Sequence, residues 1–344
     1  MIISPSEISF VRQSCADNFR MDGRSNLHHR PYSLLSPTSS PILSNGSSRL
    51  FLPASNTDIL CSIKAELVHP PFIKSEGVID LNVDILPFAS LSKDRKDIRK
   101  EEQEVTSTLT HLLLPHLLNR NKLVVLKGRY VWRLNIDILV THCDGTLMDA
   151  CSMAIFGAMQ NLRLPSIIPV EKVDHGVGAN NGQTGGKKSR ASDEIMLDGD
   201  IANSVCPDEG GVLDCPVVLT VCLIPVNAND IASVRRVKKK NESVMIIDAC
   251  RQEERCASTK ISISVDGKGN VCGVHKYGSS SVLGNSLGNI KFEMLPQIQN
   301  VAISCSQSVF AMLKKSHDDN GAGKGLGNAE DVYSNFFRSQ FELQ

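Results

Sequence analysis

The strongest pattern in the chain lies in residues 129–164, where the spacing of apolar side chains changes from strand-like to helical. Residues 130–140 alternate between apolar and polar side chains, which is typical of a half-buried strand. The apolar positions of this strand are Trp132, Leu134, Ile136 and Ile138. After a break at 143–145, apolar residues recur at helical spacing, at Leu147, Cys151, Ala154, Ile155, Ala158 and Leu162. The pattern predicts a strand, a tight turn and a helix that packs back on the sheet.

The first half of the chain shows the same alternation in three further segments. Residues 48–54 and 57–67 are separated by turn residues and predict a hairpin, and 78–85 predicts another strand. Together with the central strand at 130–140, these segments predict a mainly antiparallel sheet. Proline-rich residues 28–48 favour an edge strand and loops.

The second half contains another group of predicted strands. Residues 216–224 form a continuous apolar run, which is typical of a buried strand. Residues 244–248 predict a neighbouring strand, and 260–265 alternate apolar residues with Lys260 and two serines. The turn at 266–269 then leads into 270–276, which predicts a hairpin.

Three segments have helical periodicity. A short amphipathic helix is predicted before Phe19, with Ile8, Val11 and Cys15 on one side. A second helix is predicted within 92–118, with its apolar stripe at Val105, Leu109, Leu112, Leu113 and His116. A long helix is predicted over 287–315, with Pro296 either kinking it or lying in its first turn. Its stripe comprises Phe292, Leu295, Ile298, Ala302, Cys305, Val309 and Leu313.

The second helix begins with a dense run of charges that has two interpretations. A run of this kind is usually a solvated helix face. The alternative is a patch that contacts RNA phosphates through Arg95, Lys96, Arg99 and Lys100. Acidic residues are equally frequent in this run, which weakens the second interpretation.

Composition and charge exclude several classes of protein. The 344 residues carry 37 Lys and Arg and 37 Asp and Glu, so the chain lacks the overall positive charge of a stand-alone nucleic-acid binder. One Trp and four Tyr are too few for a stacking platform that works alone. The eleven cysteines form no CxxC pair, which favours buried free thiols over a disulfide or zinc framework. We expect no targeting or membrane-spanning segment.

Two segments between the predicted strands, and the end of the chain, have a composition that is typical of loops. Residues 172–211 combine a Gly-rich basic cluster with an acidic stretch and predict a flexible insertion. The spacing of its glycines and lysines does not match a phosphate-binding loop. The basic run 235–240 is interpreted as a solvated hairpin tip, with a local RNA contact as the alternative. A disordered tail is expected over 317–344.

These segments predict an α+β fold with helices on one side of a mixed sheet. We divide the chain into an N-terminal helix and turn (1–27), a first half (28–171), the insertion (172–211), a second half (212–316) and the tail (317–344). Within the first of these, the polar turn at 20–24 is interpreted as a surface loop in which Asp22 and Arg24 brace each other.

Four motifs in one order resemble the RNase PH-like subunits that form the core ring of the eukaryotic RNA exosome. They lie at 19–25, 45–67, 129–164 and 246–278. The resemblance covers about residues 10–315 and implies the RNase PH-like fold, which is that of ribosomal protein S5 domain 2. It implies no cofactor.

The resemblance also implies which positions matter for activity. Active members of the family cleave RNA by phosphorolysis, and the turn after their central strand supplies a Thr and an Arg that bind phosphate. In this chain Thr146 is present, but Leu147 stands at the arginine position. Two acidic residues of the active centre correspond to Glu254 and Lys260, and a lysine cannot ligate a metal. The catalytic centre is therefore predicted to be degraded at Leu147, Glu254 and Lys260, with no catalytic or metal-binding residue left.

The resemblance is to the non-catalytic branch of these ring subunits. It implies pairing with other RNase PH-like subunits, contact with S1- and KH-type cap subunits, single-stranded RNA in an assembled channel, and a location in the nucleus, nucleolus and cytoplasm. Two alternatives stay open. One is an active phosphate-dependent 3'-to-5' exoribonuclease, with an arginine supplied by Arg133 or Arg163. The other is a protein-interaction module without an RNA path.

Overall fold

The computed structural model describes residues 4–35, 44–70, 76–90, 94–169, 195–200, 203–207, 215–226, 242–277, 290 and 292–321. In these ranges the helices are α1 (Pro5–Ala16), α2 (Arg95–Leu117), α3 (Leu147–Gln160), α4 (Arg251–Cys256) and α5 (Leu295–Gly321). The strands are β1 (Ser33–Leu35), β2 (Gly46–Leu52), β3 (Thr57–Val68), β4 (Val78–Ile85), β5 (Val124–Leu126), β6 (Tyr130–His142), β7 (Ile167–Pro169), β8 (Ile195–Leu197), β9 (Val217–Val226), β10 (Glu242–Ile247), β11 (Thr259–Val265) and β12 (Val271–Lys276). No helix among the described residues is both long and apolar enough to cross a membrane.

The first sheet has the strand order β1-β2-β3-β6-β4. The short strand β5 pairs with Tyr130 and Val131 of β6, which precede the residues of β6 that pair with β4. The strand β4 runs parallel to β6, while the other pairs are antiparallel. The apolar residues of β6 face the core because they alternate with polar ones, and Leu134 and Ile136 are completely buried. The predicted hairpin and central strand are confirmed.

The second sheet has the order β10-β9-β11-β12 and is entirely antiparallel. The strand β9 is buried on both faces, as its continuous apolar run predicted. The alternation in β11 does not correspond to one buried and one exposed face, because Ser262 and Ser264 are also fully buried. Both α2 and α5 contact β11, so neither of its faces is open to solvent.

Three helices join the two sheets. The helices α2, α3 and α5 each contact strands of both sheets, so the expectation of helices on one side of a single sheet is corrected to two sheets that share these helices. Every residue of α3 from Met148 to Met159 is buried, rather than one stripe. Its polar side chains bond to β9, where Val218 N–H donates to Ser152 Oγ over 2.9 Å. The predicted α+β class is confirmed.

Several local predictions are corrected. Phe292 is 83% exposed and lies before α5, which begins at Leu295 with Pro296 in its first turn. His116 is exposed, although it was placed in the apolar stripe of α2. Ile195–Leu197, within the predicted insertion, forms β8 against β7. The helix α5 continues to Gly321, five residues into the predicted tail. The basic run 235–240 and residues 322–344 lie outside the described residues.

The predicted N-terminal helix is confirmed as α1. Its buried residues Val11 and Cys15 pack in a second, smaller core with Cys222, Ile224 and Ile246 of the second sheet. The N-cap Ser4 and Glu7 form a reciprocal capping pair, in which Ser4 N–H donates to Glu7 Oε2 over 2.7 Å. This packing places the following loop, residues 17–30, beside the end of β10.

Candidate functional site: a self-occupied anion site at the start of α3

The turn between β6 and α3 is held in a strained conformation against the loop that follows β10. Gly145 has a φ of +87°, and Thr146, the N-cap residue of α3, has a φ of +45°. A Cβ atom on residue 145 would lie 2.3 Å from the Ala249 carbonyl oxygen. Only glycine therefore fits this position, and the turn is fixed in place by both its backbone conformation and its contact with residue 249.

We expect Gly145→Ala to lower the free energy of unfolding by about 2–4 kcal/mol, because it adds backbone strain and a backbone clash. Gly128→Ala is the matched control, since Gly128 has a φ of +78° but no atom within 4 Å of its added Cβ. The control should cost only the strain, about 1–2 kcal/mol. Urea unfolding of both variants measures the difference, and equal losses would show that the contact with Ala249 is unimportant.

Both donors of Thr146 are bound by the chain's own carboxylates. Its backbone N–H donates to Glu254 Oε1 over 3.0 Å, and its hydroxyl donates to Asp248 Oδ1 over 3.1 Å. Thr146 is only 4% exposed. The N-terminus of a helix attracts anions because its backbone N–H groups and dipole point toward them. Here the anions at Thr146 are two side chains of the protein.

Asp248 is the centre of a buried network of cations. Arg30 contacts both carboxylate oxygens, with its Nη2 2.7 Å from Oδ1, and Arg24 Nη1 lies 2.9 Å from Oδ2. His29 Nδ1 lies 3.6 Å from Oδ2. Burial acts to raise the pKa of Asp248, but His29, Arg30 and Arg24 outweigh it and hold the pKa well below its usual range. The carboxylate therefore stays charged.

A second buried ion pair connects the N-terminal loop to α4. Arg20 bonds to Glu253 through two nitrogens, and its Nη1 donates to the Ile247 carbonyl over 2.9 Å. The predicted brace between Arg24 and Asp22 is confirmed at 2.5 Å. The interpretation of 20–24 as a surface loop is wrong for Arg20, which is 1% exposed.

A cavity of about 170 Å³ lies beside this turn and brings together the three positions at which the sequence predicted a degraded catalytic centre. Leu147, Glu254 and Lys260 all line it. Lys260 Nζ lies 3.9 Å from Glu254 Oε2 and 5.6 Å from the centre of the Tyr277 ring. Burial acts to lower the pKa of Lys260, but Glu254 and other acidic neighbours raise it overall, so the ammonium stays charged.

Sequence reasoning missed five polar residues of the cavity wall, which are Glu101, Glu104, Thr220, Arg251 and Tyr277. The lining thus carries three glutamates against one lysine and one arginine. Arg251 Nη2 donates to the Ala89 carbonyl over 2.5 Å. Arg251 lies only three residues before Glu254, and this spacing could have indicated that both side chains line the same cavity. This net negative lining disfavours a free phosphate ion.

The arginines proposed as substitutes for Leu147 do not line the cavity. Arg133 lies on the open face of the first sheet and pairs with Asp80 over 3.3 Å. Arg163 follows the opposite end of α3, about 21 Å along a helix of 14 residues. Within the described residues, no group of three or more His, Cys, Asp or Glu side chains is arranged to hold a metal ion.

The predicted phosphate patch lies outside the cavity. Arg95, Lys96, Arg99 and Lys100 are exposed on the first turns of α2. Lys100 Nζ lies 3.6 Å from Asp97 Oδ1, and Asp94 caps the helix. The arrangement is that of a solvated face with mixed charge.

Two models of one protein family match the sequence of this chain. Residues 39–165 match domain 1 of the 3' exoribonuclease family, and residues 231–285 match domain 2. These ranges fall inside the two predicted halves and together cover more than half of the chain. The match is to the RNase PH domains by name.

The chain is also similar to curated proteins and solved structures over most of its length. It is 23% identical over 298 residues to the exosome complex component Rrp42 of Sulfurisphaera tokodaii, covering 86% of this chain and 89% of the relative. It is 22% identical over 323 residues to the exosome complex component RRP45 of Saccharomyces cerevisiae, covering 92% and 89%.

A chain of an archaeal exosome core superposes with a TM-score of 0.58 at 20% identity, covering 90% of this chain and 96% of that one. At this identity the superposition establishes the fold alone. The two matched domain models, in the expected order and on the observed fold, show that the chain belongs to the RNase PH-like 3' exoribonuclease family.

Proposed function

We propose that this protein is a non-catalytic subunit of an exosome core ring. It pairs with another RNase PH-like subunit, helps to form a channel for single-stranded RNA and supports 3'-to-5' processing and decay by separate nucleases. The relatives named as exosome components over nearly the whole chain support this proposal. On the same basis we propose contact with S1- and KH-type cap subunits and a location in nucleus, nucleolus and cytoplasm.

The non-catalytic part of the proposal rests on Thr146, whose two hydrogen-bond donors are already bound to carboxylates of this chain. Phosphorolysis needs a phosphate ion held where charge develops in the transition state. The N–H and hydroxyl of Thr146 are instead bound to Glu254 and Asp248, and the neighbouring Leu147 provides no positive charge. A phosphate ion would have to displace a carboxylate and enter a cavity in which three of the five charged lining residues are glutamates.

The alternative of an active phosphorolytic enzyme requires Arg251 to act in place of the missing arginine, because it is the arginine in the cavity wall. Its guanidinium would have to leave the Ala89 carbonyl. The alternative of an interaction module without an RNA path has no observation in its favour.

The proposal is tested by affinity purification of the tagged full-length protein from its own cells. We expect other RNase PH-like subunits to copurify, and RNA decay in the eluate to be the same with and without inorganic phosphate. An eluate from untagged cells is the control for background nucleases. Purification of the protein without such subunits, or phosphate-dependent release of nucleoside diphosphates, would contradict the proposal.

A further inference from the structure

The N-terminal part of the chain exposes three large apolar side chains within a short stretch. Phe10 on α1 is 60% exposed, and Phe19 and Met21 in the loop after α1 are 65% and 52% exposed. Single exposed apolar residues are common on protein surfaces, but a group of them marks an interaction site. We call Phe10, Phe19 and Met21 the N-terminal apolar surface.

Two hydrogen bonds bring Phe19 next to Phe10. Ser14 lies four residues after Phe10 and therefore on the same face of α1. The Phe19 N–H donates to the Ser14 carbonyl over 3.1 Å, and the Ser14 hydroxyl donates to the Phe19 carbonyl over 2.5 Å. The loop thus folds back onto α1, and the backbone of Phe19 lies on the helix face that carries Phe10.

The residue between Phe19 and Met21 is buried and holds this loop in place. Arg20 bonds to Glu253 and donates to the Ile247 carbonyl, while its own backbone N–H donates to the Arg24 carbonyl over 3.0 Å. Phe19 and Met21 are therefore presented by a fixed backbone. A partner that binds them has little loop entropy to overcome, because the surface is already ordered.

The exposed charges around the surface are acidic. Glu7 lies three residues before Phe10 and Asp17 seven residues after it, so both lie on the helix face of Phe10. Asp22 directly follows Met21 in the loop. Every charged side chain within residues 4–27 that is classed as exposed is one of these three carboxylates.

The arginines of the same stretch are directed elsewhere. Arg20 is completely buried, and Arg24 contacts the buried Asp248 as well as Asp22. Arg12 is half-buried and lies two residues after Phe10, about 200° around the helix and so on its opposite side. The N-terminal apolar surface is therefore bordered mainly by negative charge.

This border decides which kind of partner fits. The carboxylates repel a nucleic acid or an anionic membrane. A second copy of this chain in a two-fold contact would place the same carboxylates opposite each other, which is unfavourable. A protein segment that carries apolar side chains together with Lys or Arg complements both the aromatic centre and the acidic border.

We propose that the N-terminal apolar surface is a docking site for a segment of a different protein that combines apolar and basic side chains. The apolar side chains of this segment pack on Phe10, Phe19 and Met21, and its cations pair with the bordering carboxylates. Aromatic anchors at the centre and charged groups at the rim are the arrangement found at the binding hot spots of protein interfaces. The inference goes beyond the proposed function, since it requires neither a ring nor RNA.

The first step of the test identifies what contacts the surface in the protein's own cells. The photo-crosslinking amino acid p-benzoylphenylalanine replaces Phe10 in the tagged full-length protein, and the crosslinked peptide is sequenced. The same replacement at Phe292, which is 83% exposed elsewhere on the chain, is the matched control. We expect position 10 to crosslink to a segment of another protein that contains apolar and basic residues, and position 292 not to crosslink to that segment.

The second step measures the dissociation constant of a synthetic peptide with the sequence of that segment. Replacing Phe10 and Phe19 together by serine should raise the dissociation constant about 30-fold, because aromatic anchors dominate such interfaces. Phe292→Ser should leave it unchanged. All three phenylalanines are largely exposed, so the urea unfolding midpoints of both variants should match that of the unmodified protein.

The charge part of the inference is tested by Asp17→Lys. This variant should raise the dissociation constant about fivefold at low salt and weaken its dependence on salt, because one attractive charge at the rim becomes repulsive. Asp137→Lys is the matched control, since Asp137 is an exposed carboxylate on β6. Equal effects of the two reversals would show that the attraction is not specific to the N-terminal apolar surface and would overturn its charge complementarity.

Several outcomes would overturn the docking site as a whole. They are no crosslink from position 10, a crosslink to RNA, lipid or a second copy of this chain, a crosslinked segment without basic residues, and an unchanged dissociation constant in the double serine variant. The proposed function is judged separately, by copurification of RNase PH-like subunits. If these subunits copurify and position 10 crosslinks to nothing, the ring assignment stands and this inference fails.

Discussion

Asp248→Ala is expected to lower the free energy of unfolding by about 3–5 kcal/mol, the largest effect of any single substitution considered for this protein. The substitution leaves Arg30, which is 4% exposed, without its buried carboxylate partner. It also removes the acceptor of the Thr146 hydroxyl, which is itself buried. An unpaired buried cation costs far more than a lost surface pair, because water cannot replace the missing charge. Urea unfolding at pH 7, followed by the fluorescence of Trp132, measures the loss.

The matched control for this prediction is Asp80→Ala. Asp80 also pairs with an arginine, Arg133, but the side chains are 59% and 42% exposed. The control should change the free energy of unfolding by less than about 1 kcal/mol. Similar losses in the two variants would show that the buried network around Asp248 contributes nothing special to stability.

The pH dependence of the Asp248 effect follows from its lowered pKa. A carboxyl group whose folded-state pKa is lowered stabilises the protein above its unfolded pKa of about 4, and this contribution is lost as the pH falls. The difference between the unmodified protein and Asp248→Ala should therefore be constant from pH 5 to 8 and shrink below pH 4. A difference that grows on acidification would contradict the assignment of a charged Asp248.

Asp149→Asn is expected to remove a pH dependence of stability that the unmodified protein has between about pH 4 and pH 8. Burial raises the pKa of Asp149 to about 8, against the opposing effect of its hydrogen bonds with Thr220. Asp149 is 2% exposed on α3 and joins this helix to β9. Because the folded protein holds a proton that the unfolded chain releases, stability is complete below pH 4 and falls as the pH rises toward 8.

The geometry around Asp149 explains why asparagine should fit. Thr220 N–H donates to Asp149 Oδ2 over 2.9 Å, and the Thr220 hydroxyl lies 2.6 Å from Oδ1. The same hydroxyl lies 2.7 Å from Ser262 Oγ and can donate to it. A neutral Asp149 then donates its proton to Thr220, and the amide of an asparagine can donate in the same direction. The variant keeps the hydrogen bonds and removes the titration.

Urea unfolding at pH 5, 6, 7 and 8 tests this prediction. The free energy of unfolding of the unmodified protein should fall relative to that of Asp149→Asn by about 1.4 kcal/mol for each pH unit. Asp266→Asn is the control, because hydrogen bonds in an exposed turn lower the pKa of Asp266 and its curve should parallel the unmodified one. Parallel curves for Asp149→Asn would mean that Asp149 is ionised in the folded protein.

The residues that build the two sheets could be read from the sequence because their signals are local. The alternation in β6 and the apolar run in β9 depend on neighbouring residues alone, and the strands formed where these patterns predicted. The change of period at Gly145 likewise marked the turn before α3. The order of the four motifs predicted the family, and the positions Leu147, Glu254 and Lys260 do meet in one cavity.

The burial of polar side chains between packed helices and sheets could not be predicted in this way. The serines of β11 and the polar residues of α3 look like surface positions, because polar side chains are usually exposed. They are buried because helices and sheets cover them from both sides, and this depends on how distant elements stack. Arg20 was placed on the surface for the same reason, although it pairs with Glu253, 233 residues away.

The sequence by itself determined the main strands and helices and the turn at Gly145, since each depends on the identity or spacing of nearby residues. Only the tertiary structure decided what binds Thr146. Its partners Asp248 and Glu254 lie 102 and 108 residues away, and Arg30 reaches the same carboxylate across 218 residues. Hydrogen bonds act over about 3 Å, so such partners exist only once the two halves of the chain have packed together.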